Sequence, residues 1–144
     1  DTHRQLAARF ADLGGDAACA PGTLEIEGRA ILFVAKADEV VWFDFAAICD
    51  GPRSQADYVE VASEFHTVVV SGVPRMDHTL DNQARRFIAL VDEFYDRGVK
   101  LVVAAHAPVA ELYSGERLRF EFERTRSRLS EMQTHEYLAR PHRP

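Results

Sequence analysis

The stretch 66-HTVVVSGVPRMDHTLDNQARRFIALVDEFYDRGVKLVVAAHAP-108 decides the fold. It opens with a short β-branched run, His66 to Gly72, followed by a Gly-Val-Pro stop, which suits a buried strand. Ala84, Phe87, Ile88, Val91, Phe94 and Tyr95 then recur at helical spacing. Leu80 to Arg97 therefore reads as a helix with one apolar face, ended by Gly98 as its C-cap. VKLVVAAHAP is a second short buried strand. Strand, helix, strand implies parallel pairing, because a helix crossover joins parallel neighbours, and such crossovers are right-handed. Ligands in such sheets bind outside the carboxyl ends of the strands, here Ser71–Pro74 and Ala104–Pro108.

Working outward, Ser54 is placed to cap a helix from Gln55 to about Phe65. Asp50-Gly51-Pro52 breaks the chain before it. TLEIEG, near the start, alternates apolar and polar residues as a strand does. RAILFVAKADEVVWFDF supplies two further strands, Ala30–Ala35 and Glu39–Phe45, with Lys36-Ala37-Asp38 as the turn. Leu6, Phe10 and Leu13 are spaced for a short helix that stops at Gly14-Gly15. After Pro108 comes a helical turn, Val109–Tyr113, and then a long helix from about Leu118 to Leu138. The fold class is α/β: short parallel strands with helix crossovers, a phosphate-loop-like three-layer remnant, plus an N-terminal antiparallel hairpin. One domain covers 1–144, divided into an entry helix and loop (1–21), a hairpin region (22–45), βαβ units (46–108) and a C-terminal helix (109–144).

Composition narrows the function classes. The 144 residues are 47% hydrophobic and 28% charged, enough for one sizeable core. A net charge of -6 argues against a nucleic-acid surface as the main role. Runs such as Val99–Ala105 are too short to span a membrane. Cys19 and Cys49 match no zinc spacing and read as free thiols of a reducing cytoplasm. GxxxxGK[ST], GxGxxG, HExxH and GxSxG are missing from these residues, and no His/Cys cluster has metal spacing. Val40–Phe45 resembles the magnesium-holding strand of phosphate-loop ATPases, but Phe45 stands where an acidic residue belongs. Asp44 there reads as one exposed carboxylate at a strand end.

Two arginine sets remain. Arg85 and Arg86 fall outside the apolar face of their helix, in its first turn, where the helix dipole prefers acids. Arg124, Arg128, Glu131 and His135 form a polar stripe beside the Leu118–Phe122–Leu129–Met132 face. Each set reads either as solvated charge or as groups meeting an anion or a neighbouring subunit.

RSQADYVEVASEFHTVVVSGVP, ARRFIALVDEFYDRGVKLVVAAHAPVAELYSG and FEFERTRSRLSEMQTHEYLARPH together resemble the C-terminal part of the ZapE-type, AFG-like AAA+ ATPase family, over roughly residues 22 to 142. The resemblance implies a longer phosphate-loop ATPase, a hydrolase using ATP and Mg, that assembles into a ring, with a hexamer expected. Its clients would be other proteins, such as the FtsZ division machinery for bacterial members and inner-membrane proteins for mitochondrial ones. The phosphate loop, the magnesium-binding acidic pair and the first sensor would lie in an N-terminal half, which is this chain's partner. Carried onto matching positions, the family's motif arginines are Arg85 and Arg86 in ARRF, as nucleotide-binding candidates, and Arg124 and Arg128 in ERTRSRL, as catalytic, phosphate-sensing candidates. Asp57, Tyr58, Phe65 and His66 also match motif positions, where capping and packing explain them. No metal site, tightly bound nucleotide, nucleic-acid partner or membrane span is expected of this chain. The competing expectation is a non-catalytic module that docks client proteins or the division machinery.

Overall fold

The structure, a computed structural model, describes residues 2–14 and 21–143. Its elements run α1 (Thr2–Gly14), β1 (Gly22–Ile26), β2 (Arg29–Phe33), β3 (Ala35–Lys36), β4 (Val40–Asp44), α2 (Phe45–Cys49), α3 (Gln55–Glu64), β5 (Thr67–Val73), α4 (Asp81–Asp96), β6 (Lys100–Ala105), α5 (Arg119–Glu131) and α6 (His135–Leu138). Short 3-10 turns at His78–Leu80 and Val109–Glu111 enter α4 and follow β6. The main sheet has the order β3-β4-β5-β6, with β4, β5 and β6 parallel and β3 antiparallel to β4. The helical crossover between β5 and β6 is the one expected from the alternation of β-branched and helical runs.

The hairpin is built differently from the expected pairing. β1 pairs with β2 in a separate two-stranded sheet, joined by the two-residue turn Glu27-Gly28, in which both φ angles are positive. That conformation gives a two-residue turn the twist of its strands. The run expected as Ala30–Ala35 divides at Val34. Its first part stays with β1, and its last residues cross to pair with β4, where Val34 N–H donates to Trp42 O at 2.7 Å. One apolar segment thus serves two sheets.

The two faces of the main sheet are covered unequally. Val41, Phe43, Val68 and Val70 point toward α3, α4 and α5 and join the larger core. Within it Phe87 stacks on Phe122 and Tyr113 stacks on the same ring, with centroids 6.2 and 5.3 Å apart. The opposite face presents Trp42, Val69, Val102 and Ala104, and packs against Leu6 and Phe10 of α1. β4 is buried over its whole apolar run because the sheet is parallel and covered on both sides.

Gly98 ends α4 as expected, at φ +68, and a Cβ there would meet Pro141 O at 2.7 Å. The second fact was not legible locally. The C-terminal segment folds back over this corner, with Arg143 N–H donating to Arg97 O at 2.8 Å and Lys100 Nζ donating to Arg140 O at 2.9 Å. The long terminal helix expected over Leu118–Leu138 is two helices. The second starts at Thr134, whose hydroxyl accepts the Tyr137 N–H. This cap removes His135 from the stripe begun by Arg124 and Arg128, because the helical period is interrupted.

Candidate functional site

α4 starts at the carboxyl edge of the parallel sheet, since it leaves β5 and feeds β6. Beyond that edge the loops after β5 and β6 are tied together: Met76 N–H donates to Leu112 O at 2.7 Å and Ser114 N–H to Met76 O at 2.8 Å. A cleft of about 610 Å³ opens here, lined by His78, Thr79, Asp81, Asn82, Ser114 and Arg117 among others. Asp81 is held at its wall by the Tyr113 hydroxyl, 2.8 Å away.

α4 begins at Asp81, so its first turn carries an acid as the dipole favours, and Arg85 and Arg86 sit in the second turn rather than the expected first. Arg85 is exposed and makes no ion pair or hydrogen bond among the described residues. Arg86 is half-buried, and its Nη1 donates to Cys49 O at 3.4 Å, at the last residue of α2. A cation against the carbonyl end of a helix is electrostatically favourable. The two adjacent arginines therefore have different surroundings: Arg86 braces α2 against α4, and Arg85 faces solvent.

α4 and α5 run in the same direction. Phe87 meets Phe122, Asp92 meets Arg124 and Arg128, and the Tyr95 hydroxyl donates to Glu131 Oε2 at 2.8 Å, each contact further along both helices. Asp92 collects both candidate arginines of α5. Arg128 is the firmly held one: Nη1 is paired with Asp92 Oδ1, and its guanidinium lies 5.0 Å from the centre of the Tyr95 ring. Arg140 approaches the same ring at 5.3 Å and the Tyr137 ring at 4.9 Å. The bond to Glu131 is the main reason the Tyr95 hydroxyl titrates above its ordinary range. Arg124 is only loosely engaged, 3.8 Å from Asp92 Oδ2, with its side chain 55% exposed. The structure brings Arg124 and Arg128 together but joins neither to Arg85 or Arg86.

The other motif positions are architectural. Asp57 is fully buried and forms a capping box with Ser54, accepting its N–H at 2.7 Å, while Arg29 donates to both carboxylate oxygens at 2.9 and 2.8 Å. Arg29 starts β2, so this pair fastens the hairpin to α3. Arg29 Nε is buried without a hydrogen-bond partner among the described residues. The Tyr58 hydroxyl donates to Ile48 O at 2.8 Å, Phe65 is buried, and His66 Nδ1 lies 2.6 Å from Thr67 Oγ1. Burial pushes the Cys49 thiol up to about 12, so Cys49 is a packed, neutral thiol. Cys19 lies outside the described residues. Asp44 is exposed at the end of β4, facing Gly72 of β5.

Sequence patterns had not paired Arg29 with Asp57 or Asp92 with Arg128. Asp92 sits on the polar side of α4, and the only local hint was its place one turn before the acidic end of that helix. No group of three His, Cys, Asp or Glu gathers among the described residues. The exposed guanidiniums of Arg85 and Arg124 fit an anionic phosphate.

A family model described as AFG1-like ATPase matches residues 1–141. The chain belongs to the AFG1-like ATPase family. It is 49% identical to the cell division protein ZapE of Escherichia coli K12 over 120 residues, which are 83% of this chain and 32% of that protein. Lactation elevated protein 1 homolog B of Danio rerio is 33% identical over 112 residues, 78% of this chain and 22% of that protein. The chain thus spans about a third of the length of ZapE and less of the zebrafish relative. No solved structure matches it. Among the described residues no helix is long and apolar enough to cross a membrane.

Proposed function

We propose that this chain works as the carboxyl-terminal part of a longer AFG1-like ATPase, where it presents Arg85, with Arg124 beside it in importance, to nucleotide phosphates bound by the rest of the protein or by a neighbouring subunit. The observation that carries this reading is the contrast within 84-ARRF-87. Arg86 is spent on the end of α2, whereas Arg85 is exposed and without a partner among the described residues, on a helix that begins at the carboxyl edge of a parallel sheet. A guanidinium fixed on a rigid helix stabilises charge on a transferring phosphoryl group and is worth orders of magnitude in rate. Such a group has to be reachable, which favours Arg85 and Arg124 over Arg86 and Arg128.

On this reading ATP and Mg are bound chiefly outside these residues, and the 144-residue chain alone binds ATP weakly or not at all. The working form is a cytoplasmic ring, and its clients are proteins of the division apparatus, in keeping with ZapE being a cell division protein. In the longer ATPase, Arg85→Ala and Arg124→Ala each lower turnover by about tenfold or more with assembly unchanged in sedimentation. Unchanged turnover in both variants overturns the reading.

A second reading has its own observation. Phe120 is 81% exposed on the outer side of α5, with the Arg119 guanidinium 6.0 Å from its ring centre, and Leu32 is 65% exposed on the hairpin. These are anchors suited to a protein-docking module without a part in hydrolysis. Phe120→Ala that weakens client binding while the arginine variants leave turnover intact selects this reading.

A further inference from the structure

Among the described residues the main sheet ends at β6, on a fully formed edge that no strand pairs. Lys100 N–H donates to His66 O at 2.8 Å and His106 N–H to Val73 O at 2.9 Å. Parallel pairing alternates sides residue by residue, so Lys100, Val102, Ala104 and His106 face β5. The N–H and C=O groups of Leu101, Val103 and Ala105 therefore point away from the sheet, and no strand meets them among the described residues.

Unpaired edges are usually blunted by charges, prolines or bulges. β6 has no proline, and the bulge lies in β5, between Val70 and Val73. Its single charge, Lys100, is turned onto Arg140 O at 2.9 Å. Each side of the edge also carries a recess, mainly apolar on one side and mixed on the other. On the α1 side a cleft of about 600 Å³ is lined by Leu6, Ala8, Val102 and Ala104, with Gln5 and Asp12 at its rim. On the α5 side one of about 300 Å³ is lined by Val102, Val103, Val109 and Leu129, with the polar side chains of Ser130 and Gln133 beside them. A strand laid along β6 sends successive side chains to opposite faces, one set into each recess.

We propose that β6 is an acceptor edge for an apolar, extended segment of the same polypeptide lying outside these 144 residues, which adds a strand and closes both recesses. This rests on the reading of the chain as part of a longer ATPase. The occupant must offer apolar side chains to the α1 side and to Val103, Val109 and Leu129 on the other, where Ser130 and Gln133 also accept a polar one; a strand of a sheet covered on both faces suits this better than a surface strand. The relatives carry the length to supply it: the matched stretch is 32% of ZapE.

Amide hydrogen exchange on the 144-residue chain and on the longer protein tests the proposal. The amides of Leu101, Val103 and Ala105 are expected to exchange readily in the short chain, while those of Val102 and Ala104 are protected. In the longer protein the three outward amides gain protection of about 100-fold or more. Val103→Pro, which removes an outward N–H together with a partly buried valine side chain, abolishes that gain at Leu101 and Ala105 while leaving the short chain folded by circular dichroism. Equal exchange of the three amides in both proteins overturns the proposal. So does protection that rises with concentration in the short chain, which marks a second copy on the edge. Turnover of the Arg85→Ala variant is read separately. Unchanged turnover with β6 protected removes the phosphate role of Arg85 and leaves the strand in place.

Discussion

Asp57 and Asp92 are both aspartates on helices, and both meet arginine, yet they do opposite work. Asp57 is fully buried, receives Arg29 through both oxygens and closes the capping box of α3. Asp92 has a side chain 29% exposed and draws two arginines of α5, one closely and one loosely. The number of cations is larger at Asp92, but the dependence of the fold is larger at Asp57. A carboxylate withdrawn from water must keep its partners, whereas a half-exposed one can exchange them for solvent. The consequence is functional. In the proposed function Arg124 leaves Asp92 for another anion at little cost, whereas Arg29 leaves Asp57 only at the cost of a buried, unpaired carboxylate.

The largest expected effect is Asp57→Ala, which loses the cap and leaves Arg29 half-buried without its anion, destabilising by about 3–4 kcal/mol in urea unfolding. A loss no greater than that of Asp92→Ala breaks the comparison. Alkali probes the same wall of the molecule through Cys49. Its pKa is raised on folding from 9.0 to about 12, chiefly by burial, so this stability is complete below pH 9 and is lost as pH rises toward 12. Cys49→Ala should flatten that part of the stability–pH curve, and an unchanged slope assigns the loss to other groups. Next comes Arg29→Ala, at about 2 kcal/mol, because Asp57 keeps the Ser54 N–H. Arg128→Ala removes a half-exposed ion pair and a ring contact and should cost about 1 kcal/mol. Arg124→Ala should change stability by about 0.3 kcal/mol or less, within the range of exposed pairs. Equal thermal shifts for the Arg124 and Arg128 variants would erase the distinction drawn between them.

Much of the fold was legible because the relevant signals are local. Val68, Val69 and Val70 and the apolar face from Ala84 to Tyr95 announce strand and helix whatever surrounds them, and their alternation forces a parallel sheet. Ser54 and Gly98 mark helix ends by their own chemistry. The failures share a cause. The division of one apolar run at Val34 and the break at Thr134 depend on which sheet or helix is near, and no period in the sequence reports that. Among the site residues, periodicity places all four arginines off the apolar faces. It does not separate Arg85 from Arg86, because the difference lies in the carbonyl of Cys49, 37 residues away in sequence.

The amino-acid sequence by itself determined the α/β class, the order of the central elements, the family and the placing of four arginines off the apolar faces. Those properties follow from side-chain volume, polarity and short-range period. Tertiary structure decided which charges are consumed and which stay available. Arg29 closes on Asp57, Arg86 on the end of α2 and Arg128 on Asp92 and Tyr95, while Arg85 and the β6 edge face outward. The reason is physical: the worth of an ion pair or a backbone hydrogen bond depends on the water it displaces, and only the assembled chain sets where water can reach.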